Sequence, residues 1–190
     1  MENRDANTYF HLIGCRAPFA RTIFVGAADF VYPGHMESGT QPRLDLANLA
    51  PGARMAMFAM EKYARESGLE APLLELVRLR ASQINGCAYC IDMHTKDARA
   101  HGETEQRLYT LSVWREAPFF TSRERAALEW TEAVTEIATS HAPDDVYERA
   151  RTEFAETELV NLTMAIIAIN GWNRLAISFR QVAGTYEPRK

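Results

Sequence analysis

Cysteine is scarce in this chain. Three occur among 190 residues, which excludes a disulfide-dense secreted scaffold and makes the cytoplasm the expected compartment. Basic residues do not predominate either. Lys and Arg number 21 against 25 Asp and Glu, a formal net charge of −4. That balance excludes a nucleic-acid binder held by phosphate contacts and a polybasic membrane-surface protein. No apolar run approaches the roughly 20 residues that span a bilayer. No segment alternates apolar and polar residues convincingly with period two, so strands are not expected. A second Cys-x-x-Cys is absent, as is any His-x-x-x-His. The rest of the composition, 47% hydrophobic and 24% charged, is that of a globular protein with a real core and argues against disorder. The length fits one domain.

Residues 1–35 differ in character from residues 36–190. They hold three acidic residues (Glu2, Asp5, Asp29) and three basic ones (Arg4, Arg16, Arg21), so the whole negative charge belongs to residues 36–190. Six aromatics fall here, without sustained helical periodicity. A secretory signal needs a basic start and an unbroken apolar stretch. This segment starts Met-Glu-Asn-Arg-Asp, and Asp29 breaks its apolar stretch. Two readings stay open. The segment is an N-terminal arm that docks on this subunit or a neighbour, or Met36 is the natural start and a domain boundary.

From about Ala53 the chain predicts helix after helix. GARMAMFAMEKYARES has Met57, Met60 and Ala64 at helical spacing, and Gly68 stops it. APLLELVRLRASQING starts near Pro72 and ends at Asn85-Gly86. Further helices are expected over Cys87–Ala100, Glu103–Trp114, Ser122–Ser140, Pro143–Phe154, Thr157–Ile169 and Trp172–Val182. Thr121 and Glu124 form a capping-box pattern. The expectation is an all-α bundle of seven to eight helices. The apolar run from Leu162 to Ile169 belongs to the core or a subunit interface rather than to a pocket.

The chemistry is concentrated in Cys87-Ala-Tyr-Cys90-Ile-Asp-Met-His94. On a helix, positions i, i+3 and i+7 share one face. Asn85-Gly86 breaks the preceding helix, so Cys87 falls at a new helix N-terminus, where free N–H groups favour a thiolate. A second effect pulls the other way. His94 is one turn from Cys90, with Cβ atoms about 5–6 Å apart. It is about 10 Å in helical rise from Cys87. A general base must reach its proton directly or through one water. That condition assigns Cys90 as the attacking thiol and Cys87 as the resolving thiol. Glu75 comes 12 residues before Cys87, and two antiparallel helices joined at Asn85-Gly86 bring it back beside His94, where it can orient the imidazole. The blander readings are an inert thiol pair, or zinc held by Cys87, Cys90, His94 and a fourth ligand. Cys15 reads as a spectator, and Arg174 as a structural partner of a carboxylate.

The spacing Glu75-x11-Cys87-x-x-Cys90-x-x-x-His94, the run LELVRLRASQINGCAYCIDMH and the ending INGWNRLAISFRQVAGTY resemble the alkylhydroperoxidase D-like (AhpD-like) branch of the carboxymuconolactone decarboxylase superfamily. The resemblance covers roughly Arg43–Tyr186 within residues 36–190. It implies an all-α fold assembled as homo-trimers or homo-hexamers, and thiol-dependent reduction of hydroperoxides. In it Cys90 matches the peroxidatic cysteine, Cys87 the resolving one, His94 the residue that activates the thiol, and Glu75 the acid at the far end of the relay. It requires no metal, flavin or haem, and it implies a lipoyl or thioredoxin-like dithiol donor. One position departs. The best-studied branch has a second His just before its second Cys, and here that place is Tyr89. A phenol can pass a proton but is no base near pH 7, since its ordinary pKa is about 10. The expectation is slower turnover or a different natural substrate. Two other functions compete: decarboxylation of a cyclic lactone acid, against which the redox pair counts, and a redox sensor that uses the same disulfide.

Overall fold

The computed structural model describes residues 41–188. The readings of residues 1–35, Cys15 and Met36 lie outside the described residues. Helix α1 (Leu46–Leu49) is a single turn started by Asp45, whose carboxylate accepts the Ala47 and Asn48 N–H groups. It is followed by α2 (Pro51–Arg65), α3 (Ala71–Asn85), α4 (Ala88–Ala100) and α5 (Glu105–Thr110), the last running into a 3-10 turn at Leu111–Val113. The remaining helices are α6 (Ser122–Thr135), α7 (Ile137–Ser140), α8 (Asp144–Glu153) and α9 (Glu156–Phe179). No strand occurs among the described residues.

The all-α expectation holds, but nine helices occur among the described residues in place of seven to eight, and the single turn α1 lies before the first helix expected. The helix expected over Ser122–Ser140 is two. Ser140 Oγ donates to the Ala133 carbonyl, which an uninterrupted helix would offer to the Ile137 N–H. In the other direction, the two helices expected on either side of Asn170-Gly171 are one. Gly171 serves close packing there rather than a break. A Cβ at Gly171 would lie 2.7 Å from Met57 Cε, so its absence lets α2 and α9 approach. The capping box is present: Thr121 Oγ1 accepts from the Glu124 N–H, and Glu124 Oε2 accepts from the Thr121 N–H.

Helix α3 packs against α4, α6 and α9. It therefore buries residues on every side, from Leu73 through Ser82 with few gaps, as a helix enclosed by others must. One of its faces joins Leu74 and Val77 to Trp130, Leu162 and Ile166. Another joins Leu76 and Leu79 to Leu111, Trp114 and Leu128. Truncating one of these leucines to alanine costs about 2–5 kcal/mol. That surrounding core fixes the two polar side chains α3 also buries, Glu75 and Arg78. The Leu162–Ile169 run is core at Leu162, Ala165, Ile166, Ala168 and Ile169.

Candidate active site

The turn between α3 and α4 sets the site. Gly86 takes the left-handed conformation at φ 69°, which favours glycine. The Gly86 N–H bonds the Gln83 carbonyl, and the Cys87 N–H bonds the Ser82 carbonyl at 3.0 Å. This is the Schellman ending of a helix, and it turns the chain so that Cys87 caps the next helix. Cys87 Sγ accepts the Cys90 N–H at 3.4 Å. Its sulfur lies 2.7 Å from Cys90 Sγ. Both are free thiols, each 1% exposed. Tyr89, Trp172 and Ala176 pack against them, together with Ile169.

The two thiols titrate as one system. Cys87 is pulled down to about 7, first by the hydrogen bond from the Cys90 thiol. Burial opposes this, while the Cys90 and Tyr89 N–H groups and the Asn173 amide support it. Cys90 is pushed up by that same hydrogen bond, by burial and by the charge on Cys87. Of the two sulfurs, Cys87 at the helix end is therefore the one that loses its proton first. Burial, reinforced by Cys90, Asp92 and Cys87, pushes the Tyr89 phenol up against the pull of Arg54. Tyr89 thus stays protonated at neutral pH.

The return of α4 along α3 puts Glu75 beside His94, as the spacing predicts. Glu75 Oε2 lies 2.8 Å from His94 Nδ1. Burial alone would raise the Glu75 carboxyl, but the hydrogen bond and charge of His94, followed by Arg78, hold it below its ordinary 4.5. An ionised carboxylate only accepts, so the hydrogen belongs to Nδ1. Nε2 is then the basic nitrogen. The other carboxylate oxygen, Oε1, takes Arg78 Nη1 at 2.6 Å, while Arg78 Nη2 lies 2.6 Å from Glu61 Oε1.

Arg78 and Asp97 belong to the site, and sequence reasoning misses both. Their signal is spacing alone, since Arg78 is three residues beyond Glu75 and Asp97 three beyond His94. Glu75, His94 and Asp97 place one ligand-type atom each within 4.8 Å of one another. A cation could be held there, but Glu75 and His94 already bond each other and Arg78 supplies the positive charge. The zinc alternative on Cys87, Cys90 and His94 has no matching cluster among the described residues. Tyr186, in the segment after α9, donates to Asp97 Oδ1 at 2.7 Å. Arg174 bonds the backbone and side-chain oxygens of Asn170 instead of the carboxylate expected from the sequence.

A helical bundle with a Cys-x-x-Cys at a helix start and a Glu–His pair behind it defines a class, and comparison with known proteins agrees. The carboxymuconolactone decarboxylase family model matches residues 51–133, which include Glu75, Cys87, Cys90 and His94. Protein YdfG of Bacillus subtilis, itself uncharacterized, is 45% identical over 136 residues, 72% of this chain and 92% of YdfG. A solved structure from Agrobacterium tumefaciens, a protein of unknown function placed among AhpD antioxidant defence proteins, superposes with a TM-score of 0.75. It is 47% identical and covers 77% of this chain and 100% of its own. A peroxidase-related AhpD core protein from Ralstonia eutropha, at 22% identity, shares the fold with a TM-score of 0.65, over 76% of this chain and 77% of its own. The chain belongs to the carboxymuconolactone decarboxylase family, as an AhpD-like member.

Proposed function

We propose that this protein is a thiol peroxidase that reduces organic hydroperoxides to alcohol and water. The observation that carries the reading is the pair of buried free sulfurs 2.7 Å apart on a helix that also presents a carboxylate-bound imidazole. Cys90 gives up its proton, to the Cys87 thiolate it touches or to His94, and attacks the distal oxygen of ROOH. The O–O bond breaks, the alkoxide takes the proton that left Cys90 and departs as alcohol, and Cys90 becomes a sulfenic acid. Cys87, as thiolate, attacks that sulfur and expels hydroxide, which takes up a proton to give water. The Cys87–Cys90 disulfide is then reduced by a dithiol of lipoyl or thioredoxin type, which is itself oxidised. Glu75 orients His94 and balances its charge. Tyr89, kept protonated by burial and the nearby negative charges, is not a base.

A second assignment exchanges the sulfurs. The readier ionisation of Cys87 favours attack from that residue. The two differ in which single variant still forms a sulfenic acid. A high-pKa thiolate is the stronger nucleophile but is scarce at neutral pH, so the assignment to Cys90 rests on removal of its proton as it attacks and on the family resemblance. Family resemblance further supports a cytoplasmic homo-trimer or homo-hexamer. Large apolar side chains exposed on α2 and α9, among them Met55, Phe58 and Ile177, fit such an assembly. No helix among the described residues is long and apolar enough to cross a membrane.

The test is steady-state consumption of tert-butyl hydroperoxide with excess dithiol. A peroxidase cycles and a redox sensor responds once. Loss of turnover in Cys90→Ser is expected, and parental turnover in that variant rejects the proposal.

A further inference from the structure

Asn173 lies within α9 and is 0% exposed. A buried amide is costly unless its hydrogen-bonding capacity is met. Backbone carbonyls anchor its orientation from two sides. Asn85 Nδ2 donates to the Ala81 carbonyl at 3.0 Å and therefore presents N–H to Asn173 Oδ1 at 2.9 Å. Ser82 Oγ gives its hydrogen to the Arg78 carbonyl at 2.8 Å and therefore accepts from Asn173 Nδ2 at 3.0 Å. The amide oxygen and one amide hydrogen are thus used, and one hydrogen is left.

The residues that hold Asn173 also build the turn that carries the sulfurs. Ser82 gives its carbonyl to the Cys87 N–H, and Asn85 ends α3. On α9, Ile169, Trp172 and Ala176 pack against the cysteine pair. With Asn173 they occupy i, i+3, i+4 and i+7, one face of a helix. Asn173 thus sits on the α9 face that covers the pair, and its amide draws the pKa of each thiol down.

We infer that Asn173 is a hydrogen-bond donor to the reacting sulfurs, its second amide hydrogen stabilising whichever of Cys87 and Cys90 carries negative charge. Its effect extends over the cycle. It holds the resting thiolate, and it holds the sulfur that leaves when a donor thiolate attacks the disulfide and the S–S electron pair passes to the departing atom. The inference deepens the peroxidase reading and rests on it for the sulfurs being the reacting groups.

Thiolate ultraviolet absorbance, followed against pH in a reduced Cys15→Ser background, tests it. Tyr89 is the titratable group packed on the pair, with Arg54 and Asp92 beside it. The midpoint should rise by about one unit in Asn173→Ala, roughly tenfold less thiolate near neutrality. It should rise further in Asn173→Asp, which keeps an acceptor for Asn85 but places a second negative charge by the sulfurs. Should the Asp variant fail to fold, the Ala variant alone decides. Midpoints equal to the parent, or equal shifts in both variants that follow only a loss of melting temperature, overturn the inference. The titration uses neither peroxide nor donor. A shifted midpoint without peroxide turnover would therefore remove the peroxidase reading and leave the Asn173 contact standing.

Discussion

Glu75 and His94 are nineteen residues apart in the chain and 2.8 Å apart in the fold. The contact requires α3 to end at Asn85, a tight turn at Gly86, and α4 to return along it. It fixes which imidazole nitrogen is basic. Replacing Glu75 by Gln keeps the shape and removes the charge. Peroxide turnover should fall roughly 10–100-fold, the usual effect of losing a partner that orients a functional histidine. Unchanged turnover across the pH range would separate Glu75 from the chemistry.

Acid should weaken the fold at the same residue. The folded-state pKa of Glu75 lies below its ordinary 4.5. Its contribution is therefore complete above that value and is lost as pH falls through the folded value. Denaturant unfolding should show the parent losing more stability than Glu75→Gln between neutral pH and about pH 3. At pH 7 the variant should be less stable by about 1.5–3 kcal/mol, as for a charged hydrogen bond. Parallel pH curves for parent and variant would show that the pair contributes nothing to folding.

Arg78 ties Glu75 to Glu61 from inside the bundle, with its side chain only 4% exposed. Arg78→Leu leaves two carboxylates in a buried setting without their cation. A loss of about 3–5 kcal/mol is expected, along with a rise in the Glu75 pKa. A carbon-13 NMR titration of the glutamates checks the second point, and a Glu75 resonance that titrates as before would contradict it.

The chemical spacing is the legible part of this protein. Helix periodicity puts Cys87, Cys90 and His94 on one face, and Asn85-Gly86 marks the turn that returns Glu75 to them. Arg78 is not legible, because a Glu and an Arg three apart on a helix are commonly a surface pair and only enclosure by α4, α6 and α9 turns them inward. Asn173 is visible within a familiar ending, yet its contact with Ser82 spans 91 residues. The readier ionisation of Cys87 depends on hydrogen bonds from the Cys90 thiol and two backbone N–H groups and on the Asn173 amide. Residue types alone do not weigh these against an imidazole.

Gly171 misleads for a related reason. Glycine stops a helix when nothing rewards its continuation, and here close approach of Met57 does. Gly171→Ala should stay within about 1 kcal/mol of the parent, since the flexible Met57 end can swing aside and alanine gains helix propensity. Gly171→Leu should cost about 1–3 kcal/mol by overpacking. Thermal melting of both variants checks the pair of expectations, and a leucine variant as stable as the parent would show that α2 and α9 do not need the gap.

The two sulfurs invite one decisive experiment. The reduced protein, in a Cys15→Ser background, is mixed with one equivalent of cumene hydroperoxide and no donor, and alcohol and peptide masses are read together. One alcohol per chain and a Cys87–Cys90 disulfide are predicted. Cys87→Ser should stop at a sulfenic acid on Cys90 that dimedone traps. Hydroperoxide left intact, with both thiols still free, would contradict the account at its centre.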